Sequence, residues 1–141
     1  MGYVEIYPKA DIGVKVWAKD EKSLIEESLK ALLDLYGIDR SNLSDKDIHQ
    51  AEIEGLDFED LLISTLNYLI YLIDARKFIP LDFKIESLDL DNFKLRITFF
   101  GESWRPDKNY KIDREIKAAT YHNIGIEKKN GFLETTIIFD V

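Results

Sequence analysis

The chain has no cysteine and only two histidines, His49 and His122, among its 141 residues. The lack of cysteine excludes disulfide bonds, thiolate metal ligands and cysteine nucleophiles. It fits a reducing cytosol or a hot environment, and we expect a cytoplasmic protein. Two histidines are too few for a multi-histidine zinc site. Any metal or catalytic site therefore has to use mainly carboxylates and lysine.

The chain also lacks a long apolar run. Its longest apolar segment, residues 58–73, is interrupted by Glu59, Asp60 and Asn67. A transmembrane helix needs about 20 predominantly apolar residues. The N-terminal residues have neither the basic region nor the apolar core of a signal peptide. We therefore expect no association with a membrane.

Positive charge is in deficit, since the formal net charge is −8 at pH 7. This argues against a domain that binds nucleic acid mainly through charge. One segment nevertheless interleaves basic and aromatic residues, a composition that can contact nucleic acid or nucleotide phosphates. Its members are Arg105, Lys108, Lys111, Arg114 and Lys117 among Trp104, Tyr110 and Tyr121. Acidic neighbours dilute the segment, so a solvated face of mixed charge and a surface for a partner protein are the alternatives.

Complete catalytic motifs are missing. Neither histidine accompanies a G-x-S-x-G sequence, and there is no P-loop or dinucleotide-binding fingerprint. Asp89 and Asp91 resemble the start of a calcium-binding loop, but Lys94 and Phe100 stand where such a loop needs glycine and glutamate. We expect an accessory protein and not an enzyme, with a metal-dependent hydrolase or phosphotransfer enzyme as the alternative.

Two helices are predicted in the first half of the chain. An amphipathic pattern follows Asp20, with Asp20 or Ser23 as the N-cap and Gly37 at the end. Asp57 caps a second helix that runs to about Ala75 and is apolar nearly all round. This second helix is expected to lie at the centre of the core.

The remaining segments alternate between apolar and polar residues, as strands do. Asp11 stands directly before one such run, residues 12–17, and His49 lies in another, residues 47–55, where it is expected to be half-buried. The order is β-β-α-β-α followed by at least four strands. This predicts one α+β domain, residues 1–141, with two helices packed on a largely antiparallel β-sheet.

The C-terminal part of the chain predicts a β-hairpin. Asn130-Gly131 separates two runs of β-forming residues, and this dipeptide is a strong signal for a two-residue turn. The turn would place Lys129 opposite Phe132 and set the register of the strands before and after it.

Continued without a bulge, that register puts His122 opposite Phe139 and Tyr121 opposite Asp140. Residues 115–122 then form one strand, and alternation places Lys117 on the same face as Tyr121 and Asp140. The alternative is an edge hairpin whose polar residues are simply solvated.

Several of these segments together resemble the archease family. Residues 117–122, Lys-Ala-Ala-Thr-Tyr-His, and the ending Phe-Asp-Val are similar to the C-terminal signature of that family. Residues 10–13, Ala-Asp-Ile-Gly, resemble its opening motif, although Pro8 and Lys9 replace the usual histidine and threonine. The Leu-Leu and Leu-Asn pairs of the second helix and Gly101-Glu102 are also similar.

The resemblance implies an accessory protein that activates RtcB-type RNA ligases in tRNA splicing or RNA repair. It promotes guanylation of the ligase and multiple turnover, with indirect contact to RNA or GTP. A chaperone-like modulator of tRNA-modifying enzymes is a further implied alternative.

The resemblance also implies the site residues. Asp11, Asp140 and Val141 would surround a divalent cation, Ca²⁺ or Mg²⁺, with Val141 supplying its terminal carboxylate or a backbone oxygen. The functional residues carried over with the C-terminal motif are Lys117, Tyr121 and His122.

Overall fold

The computed structural model describes residues 1–8, 11–121 and 124–141. In chain order the elements within these residues are β1 (Gly2–Ile6), β2 (Ile12–Ala18), α1 (Glu21–Tyr36), β3 (Asp47–Glu54), α2 (Phe58–Asp74), β4 (Phe78–Asp89), β5 (Lys94–Ser103), β6 (Ala118–Ala119), β7 (Glu127–Lys129) and β8 (Phe132–Asp140). This succession confirms the order of helices and strands predicted from the sequence.

Both helices begin at an aspartate. The Asp20 side chain accepts a 2.8 Å hydrogen bond from the main-chain N–H of Ser23. Asp57 accepts one of the same length from the N–H of Asp60. α1 ends at Gly37, whose φ of 63° is a left-handed conformation that glycine adopts without steric cost. The local signals therefore predicted the limits of both helices, and Asp20 is the N-cap of the first.

The strands form two antiparallel sheets. One has the order β1-β2-β8-β6, with β7 also paired to β8, and the other has the order β3-β5-β4. α1 packs on β1 and β2, whereas α2 contacts β3, β4 and β6. The predicted α+β class with two helices on antiparallel strands is confirmed, and the strands divide into two sheets.

α2 is the central core helix that its composition predicted. Its fully buried side chains include Leu61, Leu62, Leu66, Leu69 and Leu72. Complete burial of one leucine stabilises the fold by about 1.5–3 kcal/mol relative to leaving it exposed. Phe99 of one sheet and Phe139 of the other belong to the same apolar cluster. The end of β8 is thereby anchored in the core.

The predicted C-terminal hairpin is confirmed at its turn. Asn130 and Gly131 have φ values of 51° and 82°, as a turn with two positive φ angles requires. Lys129 lies opposite Phe132, as the turn predicts.

Farther from the turn, the predicted register is wrong. Ala119 lies opposite Phe139, and Ala118 lies opposite Asp140, the place predicted for Tyr121. The strand expected over residues 115–122 is shortened to Ala118–Ala119.

The change of register occurs between β6 and β7. The N–H of Ile124 donates to the oxygen of Tyr121 at 3.2 Å, so this bond is made within the segment and not across the ladder to β8. The resulting shift is three residues, an odd number, and it reverses the face of every side chain beyond it. The predicted common face of Lys117, Tyr121 and Asp140 is therefore not formed by strand alternation. His122 lies outside the described residues.

Candidate functional site

Asp11 and Asp140 stand at neighbouring strand ends. Ile12 pairs with Phe139 across the antiparallel strands β2 and β8. Asp11 directly precedes Ile12, and Asp140 directly follows Phe139, so both residues come to the same end of the sheet. Both are exposed.

Lys117 joins the same end of the sheet through its main chain. Its N–H donates a 2.8 Å hydrogen bond to the main-chain oxygen of Asp140, while its side chain is exposed. Ala118, the next residue, pairs directly with Asp140. We call Asp11, Lys117, Asp140 and Val141 the strand-end site.

A main-chain hydrogen bond joins Asp11 of this site to Pro8. The N–H of Asp11 donates to the oxygen of Pro8 at 3.1 Å, so Pro8 helps to fix where β2 begins. Lys9, the other departure from the family motif, lies outside the described residues.

The donor chemistry of the strand-end site suits a hard divalent cation. Ca²⁺ and Mg²⁺ take oxygen ligands from carboxylates, carbonyls and water. In the part of the chain that the structure describes, no three histidine, aspartate or glutamate side chains form a group that could hold a metal. Asp11 and Asp140 would therefore need oxygens from Val141, which is 47% exposed, and from water.

Tyr121 contacts the beginning of α2. Its hydroxyl donates a 2.5 Å hydrogen bond to the Asp60 carboxylate. This bond, followed by burial, raises the pKa of Tyr121, and the same bond lowers the pKa of Asp60. Asp60 also accepts from the N–H of Leu56 at 2.8 Å. The structure thus gives Tyr121 an anchoring contact that spacing along the sequence did not predict.

Asn67 makes a second contact between α2 and this segment. Its amide nitrogen donates to the oxygen of Ala119 at 3.1 Å, and its amide oxygen accepts from the N–H of Ala119 at 2.8 Å. The sequence pattern predicts Asn67 only as a residue of the second helix and does not predict its contact with Ala119. The available signal was a polar amide within the mainly apolar second half of the helix, residues 66–73.

The basic and aromatic segment is partly used for structure. Lys108 contacts both carboxylate oxygens of Glu102 at 2.8 and 2.9 Å, and the Tyr110 hydroxyl donates to the same carboxylate at 2.6 Å. Glu102 is buried, and the bonds from Lys108 and Tyr110 lower its pKa. Arg114 donates to the oxygen of Leu35 at 2.9 Å, near the end of α1.

Three basic residues of the segment remain exposed. These are Arg105, Lys111 and Lys117. Lys117 belongs to the strand-end site.

His49 is half-buried on β3, as predicted. Its Nε2 lies 2.6 Å from the hydroxyl oxygen of Tyr68. Burial, followed by the charge of Arg76, lowers the pKa of His49.

No helix within the described residues is long and apolar enough to cross a membrane.

Comparison with known proteins finds a matching family model and several similar sequences. A model of the Archease protein family (MTH1598/TM1083) matches residues 3–141. The chain is 31% identical over 132 residues to Protein archease of Methanopyrus kandleri, covering 93% of each chain. It is 33% identical over 120 residues to Protein archease of Pyrococcus furiosus, covering 84% of this chain and 83% of that one.

Two solved structures resemble the fold. The crystal structure of an archease from Thermotoga maritima, described as a possible chaperone, has a TM-score of 0.66 and 27% identity and covers 98% of this chain and 94% of that chain. The solution structure of Methanobacterium thermoautotrophicum protein 1598 has a TM-score of 0.77 and 22% identity, with 99% of each chain covered. The second likeness concerns the fold alone. With the family match over residues 3–141 and relatives above 30% identity, the chain belongs to the archease protein family.

Proposed function

We propose that this protein activates an RtcB-type RNA ligase and does not join RNA itself. It promotes guanylation of the ligase and multiple turnover in tRNA splicing or RNA repair. Membership of the archease family supports this proposal, together with the strand-end site.

The observation that carries the proposal is the meeting of distant parts of the chain at one end of a sheet. Asp11 comes from the beginning of β2, Asp140 from the end of β8, and Lys117 is hydrogen-bonded to Asp140 through its main chain. Two exposed carboxylates and the exposed side chain of Lys117 therefore stand at one end of the sheet, where a partner can reach them.

Each residue of the site has a separate role in the proposal. Asp11, Asp140 and the main-chain oxygens of Val141 hold Ca²⁺ or Mg²⁺, since hard cations prefer oxygen ligands. When bound, the cation supplies positive charge that offsets the two carboxylates. Lys117 offers an ammonium to a phosphate of GTP, of the guanylated ligase or of RNA, or to an acidic surface of the ligase.

Activation requires that the protein distinguish two states of the ligase. A partner that binds the resting and reactive states equally tightly shifts neither population. Changing the ratio from about 1:99 to 99:1 requires a preference of about 10⁴-fold for the reactive state. We assign this distinction to the strand-end site because its charged side chains are exposed and can contact the ligase.

The test measures covalent guanylation of purified ligase. Ligase is incubated with labelled GTP and a divalent metal salt, with and without this protein, and the label on the ligase is followed over time. Labelling is expected to be faster with the protein present, whereas the protein alone should neither consume GTP nor join RNA.

Two outcomes would contradict the proposal. Unchanged labelling of the ligase when the protein is added would refute the activator role. Turnover of GTP or a phosphate ester by this protein alone, lost in Asp140→Asn, would instead favour the metal-dependent hydrolase or phosphotransfer enzyme.

One surface favours a second function, that of a chaperone-like modulator of tRNA-modifying enzymes. The exposed side chains of Val4 and Phe132 line a cleft of about 500 Å³ on the first sheet, beside Lys15 and Glu134. Exposed apolar groups on a sheet can contact other proteins. Suppression of client aggregation by the native protein, lost in Phe132→Ser, would support this function, and equal suppression by both proteins would argue against this surface.

A further inference from the structure

Asn67 behaves towards Ala119 as a neighbouring strand would. The side chain of Asn67 gives one donor and one acceptor to the main chain of a single residue, with distances of 3.1 and 2.8 Å. β6 therefore has β8 on one side and the Asn67 amide on the other. A buried or half-buried main-chain group needs such a partner, because leaving it unsatisfied is costly.

β6 is short, yet it borders the last residues of β8. It contains only Ala118–Ala119. The flanking bonds run from Lys117 N–H to Asp140 oxygen, at 2.8 Å, and from Thr120 N–H to Ile138 oxygen, at 2.9 Å. A ladder of this length needs support from outside the sheet.

The other side of β8 does not provide that support at its end. Pairing between β2 and β8 stops at Ile12 and Phe139. Among the described residues, Asp140 is therefore paired through β6, by Ala118 and by the N–H of Lys117. The position of Asp140 depends on the position of β6.

We propose that Asn67 is a positioning residue for the strand-end site. By holding Ala119, it keeps Lys117 and Asp140 in register and presents the carboxylate of Asp140 beside Asp11. Tyr121 adds a second attachment to the same helix through Asp60. This inference deepens the proposed function and rests on it for the role of the cation.

The expected effect on the cation follows from an indirect role, because Asn67 bonds to Ala119 and not to a proposed ligand. Residues that orient metal ligands without touching the metal typically change metal affinity by about 10–100-fold when replaced. Replacement of Asn67 is expected to weaken Ca²⁺ or Mg²⁺ binding within this range. The exchange of the Lys117 and Thr120 amide protons with solvent should also become faster.

Two substitutions of Asn67 separate its two hydrogen bonds. Asn67→Leu keeps a similar size and removes both bonds to Ala119. Asn67→Asp keeps an acceptor for the Ala119 N–H but replaces the donor to the Ala119 oxygen by a second carboxylate oxygen, so it tests the donor by itself. If Asn67→Leu does not fold, Asn67→Asp provides the test.

Thr65→Val is the matched control on the same helix. The buried Thr65 hydroxyl donates to the oxygen of Leu61 at 2.7 Å, within α2 and away from β6. This control loses a side-chain hydrogen bond of the helix and leaves the bonds to Ala119 intact. Comparison with this control distinguishes an effect of destabilising α2 from an effect of displacing β6.

The experiment combines amide hydrogen exchange, followed by NMR, with calorimetric titration of CaCl₂ and MgCl₂. The amide of the buried residue Val14 on β2 serves as the reference for global unfolding. Faster exchange at Lys117 and Thr120 relative to Val14 in the Asn67 variants, with native-like exchange in Thr65→Val, supports the positioning role.

Unchanged exchange at Lys117 and Thr120 overturns the inference, whatever the cation data. Native affinity for the cation in Asn67→Leu also overturns it, because Asp140 would then not depend on Asn67. Absence of cation binding by the native protein has a different meaning. It refutes the cation site of the proposed function, while the exchange data still decide whether Asn67 positions β6.

Discussion

The N–H of Lys117 donates a 2.8 Å hydrogen bond to the main-chain oxygen of Asp140. Because this bond uses only the backbone, it fixes the two residues side by side while the Lys117 side chain stays exposed. Structure and function can therefore be separated at this position by changing the side chain alone.

Lys117→Ala is expected to fold as stably as the native protein and to stimulate the ligase poorly. Alanine keeps the N–H that bonds to Asp140, and truncation of an exposed side chain usually changes the free energy of unfolding by about 0.5 kcal/mol or less. Thermal unfolding and ligase guanylation test the two parts of the prediction. Lys111→Ala, an exposed lysine of the same segment, is the control and should stimulate normally. Unfolding of Lys117→Ala would make the residue structural and refute its functional role.

Asp11→Asn and Asp140→Asn are each expected to weaken cation binding. Each substitution removes a negative charge and the stronger oxygen ligand, and charge count sets the affinity of such sites, so we expect a loss of about 10-fold or more. Calorimetry with Ca²⁺ and Mg²⁺ measures the loss. Asp45→Asn, an exposed loop aspartate, is the control for net charge. Equal affinity in all three variants and the native protein would exclude the site.

Glu102 is expected to stabilise the fold in a pH-dependent way. Its pKa is lowered in the folded protein by the bonds from Lys108 and Tyr110. A carboxyl whose folded pKa is depressed stabilises the fold fully above its unfolded pKa, about 4.3 for glutamate, and this contribution is lost as the pH falls through the folded pKa. Glu102→Gln should therefore unfold at lower urea concentration than the native protein at pH 7, and the difference should shrink below about pH 4. The exposed Glu52→Gln is the control, and a difference that stays constant with pH would refute this role of the Glu102 charge.

Gly101→Ala is expected to destabilise the second sheet. An added Cβ would lie 2.1 Å from the oxygen of Ile79 and 2.8 Å from the Cα of Pro80, which are main-chain atoms of β4. Overpacking of this kind typically costs about 1–3 kcal/mol. Gly125→Ala, where an added Cβ meets nothing within 4 Å, should cost much less. Urea unfolding of the two variants tests the contrast, and equal losses would contradict it.

The sequence predicted features that depend on neighbouring residues. The cap at Asp57, the choice of Asp20 or Ser23 as the first cap, the glycine that ends α1 and the Asn130-Gly131 turn each follow from the chemistry of a few adjacent residues. Periodicity likewise predicted that α2 is buried and that the protein is α+β.

The sequence did not predict contacts between distant residues. The hairpin turn sets the register only while the ladder is continuous, and the pairing of β6 with β8 is shifted by three residues from that of β7 with β8. Pairing of Asn67 with Ala119 depends on the packing of α2 against the first sheet, which no local pattern encodes. Spacing alone also could not bring Asp11 to Asp140. The family resemblance suggested their proximity, and the pairing of β2 with β8 places them at one end of the sheet.

The measurement that tests the central claim most directly is a multiple-turnover RNA joining assay with limiting RtcB-type ligase, GTP and a divalent metal salt. Native protein, Asp140→Asn and the control Asp45→Asn are compared at equal concentration. We expect native protein and Asp45→Asn to raise the number of RNA molecules joined per ligase, and Asp140→Asn to leave it near the value for ligase alone. Equal stimulation by all three proteins would refute the strand-end site, and no stimulation by native protein would contradict the activator function itself.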